Sequence, residues 1–150
     1  MESEMCVVRG VFIALGDTAQ VPVVVLENGD GLQLHIYIGI WEAIAINSAL
    51  KKEVTPRPLT HDLVIDIVNR IPGRFSRLRI DSVDESVYYA TLVLEKNGHE
   101  ECIDCRPSDG IVLALKSDAP ILVAGSMLQK GGVTGTGITN LIELNEFMRM

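Results

Sequence analysis

The sequence predicts a single α+β domain with about three to four helices. Three observations lead there. Runs rich in β-branched and aromatic residues alternate with segments of 3.6-residue apolar period, the pattern of strands and helices in one chain. Turn signals such as Asn28-Gly29-Asp30-Gly31 and Asn97-Gly98 join neighbouring strand runs as hairpins. No Pro-, Gly- or Ser-rich linker divides the 150 residues, a length suited to one core. Residues 1–150 are therefore read as one domain, with a core at about 5–124 and a glycine-rich loop and C-terminal helix at 125–150.

The elements follow in order. Residues 5–15 and Val21 to Leu26 read as strands, and both carry more apolar residues than one covered face needs. One of them is expected beneath a helix or at a subunit interface. Leu32 to Ile38 alternates, placing Leu32, Leu34, Ile36 and Ile38 on one face. The period then changes. Ile40, Ala43, Ile44, Asn47 and Leu50 share a helical face, and Lys51-Lys52 suits its C-terminus. Thr55-Pro56-Arg57-Pro58 is extended, because each residue before a proline is pushed out of the helical region. Thr60 reads as an N-cap with Asp62 in the first turn. Leu63, Val64, Ile67, Val68 and Ile71 form the apolar stripe behind it, and Pro72-Gly73 ends the helix.

Phe75 to Val83, Val87 to Glu95 and His99 to Cys105 read as three strands. Pro107 opens a helix through Lys116 that is apolar nearly all round and so is expected to be buried. Pro120 to Ala124 is a short strand, Lys130 to Gly137 a mobile loop, and Leu141, Leu144, Asn145 and Met148 mark a C-terminal amphipathic helix. Arg57-Pro58 and Arg106-Pro107 each precede an aspartate at a helix mouth, an echo that suggests two similar strand-helix halves.

Composition excludes several classes. The apolar fraction of 47% rules out a disordered chain. A net charge of −7 disfavours purely electrostatic nucleic-acid binding. It leaves room for an enzyme using a cation or a local basic patch. No apolar run approaches a membrane span, and the acidic start Met1-Glu2-Ser3-Glu4 lacks the features of a signal peptide. Three cysteines argue against a disulfide framework. A cytoplasmic location with no membrane partner is the expectation.

Two blocks carry the chemistry: Arg57-Pro58-Leu59-Thr60-His61-Asp62-Leu63, and Asp104-Cys105-Arg106-Pro107-Ser108-Asp109 with Ile111 to Leu115 behind it. With Ile38-Gly39 and Glu42-Ala43 they resemble the signatures of the bifunctional nuclease domain family, in order and spacing from about residue 7 to 124. Cys105 stands where that family commonly has Ser, and Gly110 where it commonly has Ala. The resemblance implies a compact α+β fold with a mixed sheet and a homodimer or larger homo-oligomer. It also implies action on both RNA and DNA, as described for the family's plant members.

Phosphodiester hydrolysis needs an activated water, charge stabilisation and a proton for the leaving oxygen. His61, Asp62 and Asp109 are the candidate catalytic residues, imidazole being the side chain that titrates nearest neutrality. Arg57, Arg106 and Ser108 are candidates for substrate binding, the guanidinium fork matching phosphate. Asp62, Asp104 and Asp109 are candidate ligands for Mg²⁺ or Mn²⁺, which favour carboxylates and water. Thr60 and Glu42 are supporting residues, Glu42 in an arginine pair. All five residues of the pocket, Arg57, His61, Asp62, Arg106 and Asp109, are expected to converge.

Plainer readings stand beside these. Thr60, Asp62 and Asp109 are typical helix-capping residues, and Arg57 suits an ordinary ion pair. Cys102 and Cys105 form a lone Cys-x-x-Cys and face opposite ways on a strand, which argues against zinc. The glycine-rich stretch lacks the Gly-Lys-Ser/Thr ending of a phosphate loop. Arg77 and Arg79 share a strand face, either as a phosphate-contacting stripe or as a balance for nearby acids. The expected function is a metal-assisted nuclease of low sequence specificity. The alternative is a non-catalytic oligomeric module that binds an anionic ligand or a protein.

Overall fold

Two three-stranded meanders, each followed by a helix, make up most of the chain. The computed structural model describes residues 2–130 and 140–150. The first meander is β1 (Ser3–Leu15), β2 (Gln20–Asn28) and β3 (Leu32–Tyr37), followed by α1 (Ile40–Leu50) and α2 (Thr60–Arg70). The second is β4 (Arg74–Asp84), β5 (Val87–Lys96) and β6 (His99–Cys105), followed by α3 (Pro107–Ser117) and β7 (Ile121–Ala124). A 3₁₀ turn at Gly125–Met127 leads to β8 (Gln129–Lys130), and β9 (Leu141–Glu143) and α4 (Leu144–Met148) close the chain.

All of these strands join one mixed sheet in the order β6-β5-β4-β7-β1-β2-β3-β8, with β9 paired to β1. Strand β7 lies parallel to β4 and antiparallel to β1, so the two meanders flank it outward in mirrored order. The expectation of two similar halves is met at this level. The Arg-Pro echo does not follow it, because Arg57-Pro58 opens α2 whereas the meander-following counterpart of α3 is α1.

Local chemistry explains the connections. Asn28 Oδ1 accepts from the backbone N–H groups of Asp30 (2.9 Å) and Leu32 (2.8 Å), which folds the β2–β3 turn. Glu85 and Ser86 both have positive φ, 48° and 68°, the conformation that matches a two-residue hairpin turn to strand twist. Gly73 N–H donates to Val68 O at 2.8 Å, closing α2 where Pro72-Gly73 was expected to end it.

The core lies between α1, α3 and one face of the sheet. Helix α3 is the most enclosed element, with Ile111, Val112, Leu113 and Ala114 buried against Leu78, Ile80 and Leu92. Leu26 and Val24 of β2 belong to the same core, and α1 packs on β1 and β2. Val23 and Val25 are also buried, on the opposite face, whereas Met5 and Val7 of β1 are exposed. Tyr88 donates to the His35 carbonyl at 3.4 Å, so the tip of the second meander meets the end of the first across the core.

Two expectations are corrected here, on the face of α1 and at the C-terminus. The buried face of α1 is Ala43, Ile46, Asn47 and Ala49, and Ile40 is exposed. Of the apolar stripe of α2 only Val68 is buried, while Leu63, Ile67 and Ile71 face solvent. α3 already fills the space beneath the sheet, so α2 packs at its margin. The C-terminal segment is split, Leu141–Glu143 pairing with β1 and only five residues turning helical. Asn145 fixes that short helix by accepting from Asn47 Nδ2 at 2.9 Å. Lys130 belongs to β8, and the rest of the expected glycine-rich loop lies outside the described residues.

Candidate active site

The fold brings the N-termini of α2 and α3 together. Arg106 is the N-cap residue of α3, in an extended conformation forced by Pro107, and Asp109 sits in the first turn. The Asp109 carboxylate does not turn back to cap the helix. Its Oδ2 accepts from Arg106 Nε at 2.9 Å and its Oδ1 from Arg106 Nη2 at 3.2 Å, a bidentate pair. The same Oδ1 lies 2.9 Å from His61 Nε2 of α2. Arg106 Nη1 then donates to Glu42 Oε2 of α1 at 3.2 Å. Glu42, Arg106, Asp109 and His61 thus form one continuous chain across three helices.

Electrostatics follow from that chain. Burial works to raise the Asp109 pKa, but the bonds from Arg106 and His61 outweigh it and hold the carboxyl below its ordinary value. Asp109 and Glu42 together raise the Arg106 pKa further above its already high reference. The guanidinium uses three of its five N–H donors on these carboxylates, and its side chain is 63% exposed. Two donors remain to face a ligand. At Gly39, the N-cap residue of α1, a Cβ would meet the end of the Glu42 carboxylate folded over it, so Glu42 would have to shift.

Ser108, next in sequence to Pro107, is buried and lines a recess beside this chain. Its hydroxyl has no partner among the described residues. Glu42 in an arginine pair is as expected, and His61, Arg106 and Asp109 do converge.

Asp62, Asp104, Arg57 and Thr60 are placed elsewhere. Asp62 turns away from Asp109. Its Oδ1 takes Lys116 Nζ at 2.8 Å, and its Oδ2 accepts from the Leu59 backbone N–H at 2.9 Å. Lys116 stands two turns along α3 from Asp109, roughly 10 Å at the helix rise. The bond from Lys116 and then that from Leu59 hold the Asp62 pKa below its ordinary value. Asp62 lines a separate cleft of about 520 Å³ between the 53–58 segment and Lys116. Leu59 is the N-cap residue of α2, so Thr60 is its first helical residue and not the cap. The Arg57 guanidinium makes no hydrogen bond or ion pair with any described residue and stands outside the cluster.

Asp104 is opposite Thr91 on the sheet face away from α3. Thr91 donates to Asp81 on that face, while Cys105, the next residue, points to Gly110 of α3. Strand alternation therefore separates Asp104 from Asp109. The three carboxylates expected to hold Mg²⁺ or Mn²⁺ do not meet. Among the described residues no three His, Cys, Asp or Glu side chains form a cation-binding group.

The remaining motifs read as structural. Arg77 pairs with Glu100 (2.8 Å), Arg79 with Asp81 (3.2 Å) and Arg74 with Glu95 (3.0 Å), so the arginine stripe is neutralised by neighbouring acids. All three cysteines are free. Burial pushes the Cys105 thiol up to about 11, which keeps it protonated at neutral pH. Sequence reasoning missed Lys116, because nothing in its spacing ties it to Asp62. It also missed Tyr37, Ser86 and Tyr88, which line the recess by Ser108 only because the two sheet ends meet.

Fold and cluster together define an α+β domain whose joined helix mouths carry acid–base and anion-handling side chains. The sequence model of the bifunctional nuclease domain matches residues 24–135. An uncharacterized protein of Mycobacterium tuberculosis is 34% identical over 127 residues, covering 84% of this chain and 76% of that protein. A bifunctional nuclease 1 of rice, Oryza sativa subsp. indica, is 30% identical over 126 residues, covering 81% of this chain and 38% of that protein. A bifunctional nuclease 1 of Arabidopsis thaliana is 32% identical over 114 residues, covering 73% of this chain and 35% of that protein. The chain belongs to the bifunctional nuclease domain family.

Proposed function

We propose that the chain is a nuclease that hydrolyses phosphodiester bonds of RNA and DNA with low sequence specificity, at the His61–Asp109–Arg106 cluster. The observation that carries this reading is the Asp109 carboxylate, which holds an imidazole at 2.9 Å and an arginine fork at once. Asp109 orients the His61 ring, and His61 moves the proton between the attacking water or leaving oxygen and the site. Arg106 turns its two free N–H donors to the phosphoryl oxygens, where charge builds in the transition state. Glu42 fixes Arg106 from its other side.

Mg²⁺ is commonly held by one or two carboxylates together with substrate phosphates. Glu42 and Asp109, both on Arg106, are the pair that would meet Mg²⁺ or Mn²⁺ arriving with a nucleic acid. The rice and Arabidopsis relatives are named bifunctional nucleases, which supports the activity. Three free cysteines fit a reducing cytoplasm.

The test is degradation of RNA and of DNA by the purified chain, with and without chelator. Cleavage of both, suppressed by chelator, supports the reading. Binding without cleavage overturns it and favours a non-catalytic module. Assembly is part of the same proposal. Leu59, Leu63, Ile67 and Ile71 form an exposed stripe along α2 at four-residue spacing, which suits a homodimer contact next to His61. Light scattering should show a mass of at least twice 16.4 kDa, and a monomer at micromolar concentration contradicts it.

A further inference from the structure

Beside Glu42 and Arg106 opens a recess of about 260 Å³ between the N-termini of α1 and α3 and the β4–β5 turn. Its size is below that of pockets for drug-sized ligands, so it suits one nucleoside-sized group and excludes a base pair. Two tyrosines, Tyr37 and Tyr88, line it. Aromatic side chains stack unpaired bases of any sequence.

The polar groups are more selective. Ser108 is only 6% exposed, lines the recess, and has a hydroxyl with no partner among the described residues. Among the described residues no buried side-chain oxygen or nitrogen lacks a partner, so the Ser108 hydroxyl is open to the recess and free to bond a ligand there. Glu42 gives one carboxylate oxygen to Arg106 and keeps Oε1 without a hydrogen bond among the described residues. A phosphate meets the free N–H donors of Arg106 at the neighbouring cluster, whereas Glu42 lines the recess with a carboxylate, so an anion is disfavoured in the recess itself. The recess attracts a neutral, flat group with donors on its edge.

Resting on the nuclease reading, we infer that this recess is a base pocket that holds one unpaired nucleobase beside the cleaved phosphate and prefers guanine. Guanine presents N1–H and N2–H₂ as adjacent in-plane donors, which match a carboxylate such as Glu42. Adenine and cytosine place an acceptor nitrogen beside their amino group, and uracil flanks its single N–H with two carbonyls. Ser108 bonds a further edge atom of the base. Arg106 is shared between recess and cluster, so a phosphate attached to the seated base falls on its two free N–H donors. A preference at one base is compatible with low sequence specificity elsewhere along the strand.

The test is calorimetric titration of the purified chain with GMP, AMP, CMP and UMP, and with guanosine and inorganic phosphate. GMP should bind at least tenfold more tightly than the other three nucleotides. Guanosine should bind within tenfold of GMP, and inorganic phosphate should not compete with it. Ser108→Ala and Glu42→Gln should each bring the four nucleotides within threefold of one another. Should Glu42→Gln fail to fold, Ser108→Ala and Tyr88→Leu carry the test. Equal affinity for the four nucleotides, GMP binding untouched by Ser108→Ala, or displacement of GMP by inorganic phosphate would overturn the inference. Guanine-selective binding without nucleic-acid cleavage keeps the pocket and defeats the nuclease reading. Cleavage without base-selective binding does the reverse.

Discussion

His61 Nε2 and Asp109 Oδ1 lie 2.9 Å apart although 48 residues separate them in the chain. That bond joins the mouths of α2 and α3. It also decides between two readings of Asp109. A capping aspartate spends its oxygens on backbone N–H groups, whereas Asp109 spends both on an imidazole and a guanidinium.

The acid limb of stability should report both aspartates. Asp109 and Asp62 titrate below the ordinary carboxylate value in the folded chain, and near about 3.9 when unfolded. As pH falls the unfolded chain takes up these protons first. Their contribution is therefore present above about pH 4 and is lost as pH drops through the lower folded values. Denaturant melts at about pH 6 and about pH 3 should show a smaller loss in Asp62→Asn and Asp109→Asn than in wild type. Equal losses in all three proteins would show that neither pair matters.

Asp62 and Asp109 should separate in their effects on activity. Asp62 holds Lys116 and the first turn of α2, two turns of α3 away from the cluster. Asp62→Asn should cost about 1 kcal/mol of stability, the typical worth of such a terminal contact. Cleavage should stay within about threefold of wild type, measured at a temperature where both proteins are folded. A larger loss with the fold intact would return Asp62 to the site.

Cys105 and Gly110, the two departures from the family signature, are in contact. A Cβ on Gly110 would lie 3.0 Å from Cys105 Sγ and 2.5 Å from Leu78 Cδ1. Gly110→Ala alone should destabilise by about 1–3 kcal/mol through overpacking. A hydroxyl is smaller than a thiol, so Cys105→Ser should relieve part of that cost. In the double variant, thermal melts should show less destabilisation than the sum of the singles by at least about 0.5 kcal/mol. Additive losses would mean that Leu78 alone sets the limit.

How far the sequence could be read depends on range. The strand and helix order was legible, because alternation, the Asn28 turn and the proline at 107 act locally. The arginine and proline blocks marked Arg106, Asp109 and His61 for the same reason. Side-chain direction was not legible. Asp62 follows His61 directly, yet packing of α2 against α3 sends the two to different partners. Asp104 precedes Arg106 by two positions but faces the other side of the sheet. The apolar stripe of α2 was legible but its exposure was not, since period alone does not say whether a face meets the sheet or solvent. Lys116 and the two tyrosines of the recess depend on contacts between distant segments, which one sequence does not display.

The most direct measurement is cleavage of RNA and DNA by Asp109→Asn and His61→Ala beside wild type, with melting temperatures taken on the same samples. Their bonds are partly exposed, so each change should cost no more than about 1 kcal/mol, or a few degrees in a chain of this size. Each should lower cleavage by more than tenfold. Wild-type activity in either folded variant would contradict the account, and so would activity that falls only in step with stability.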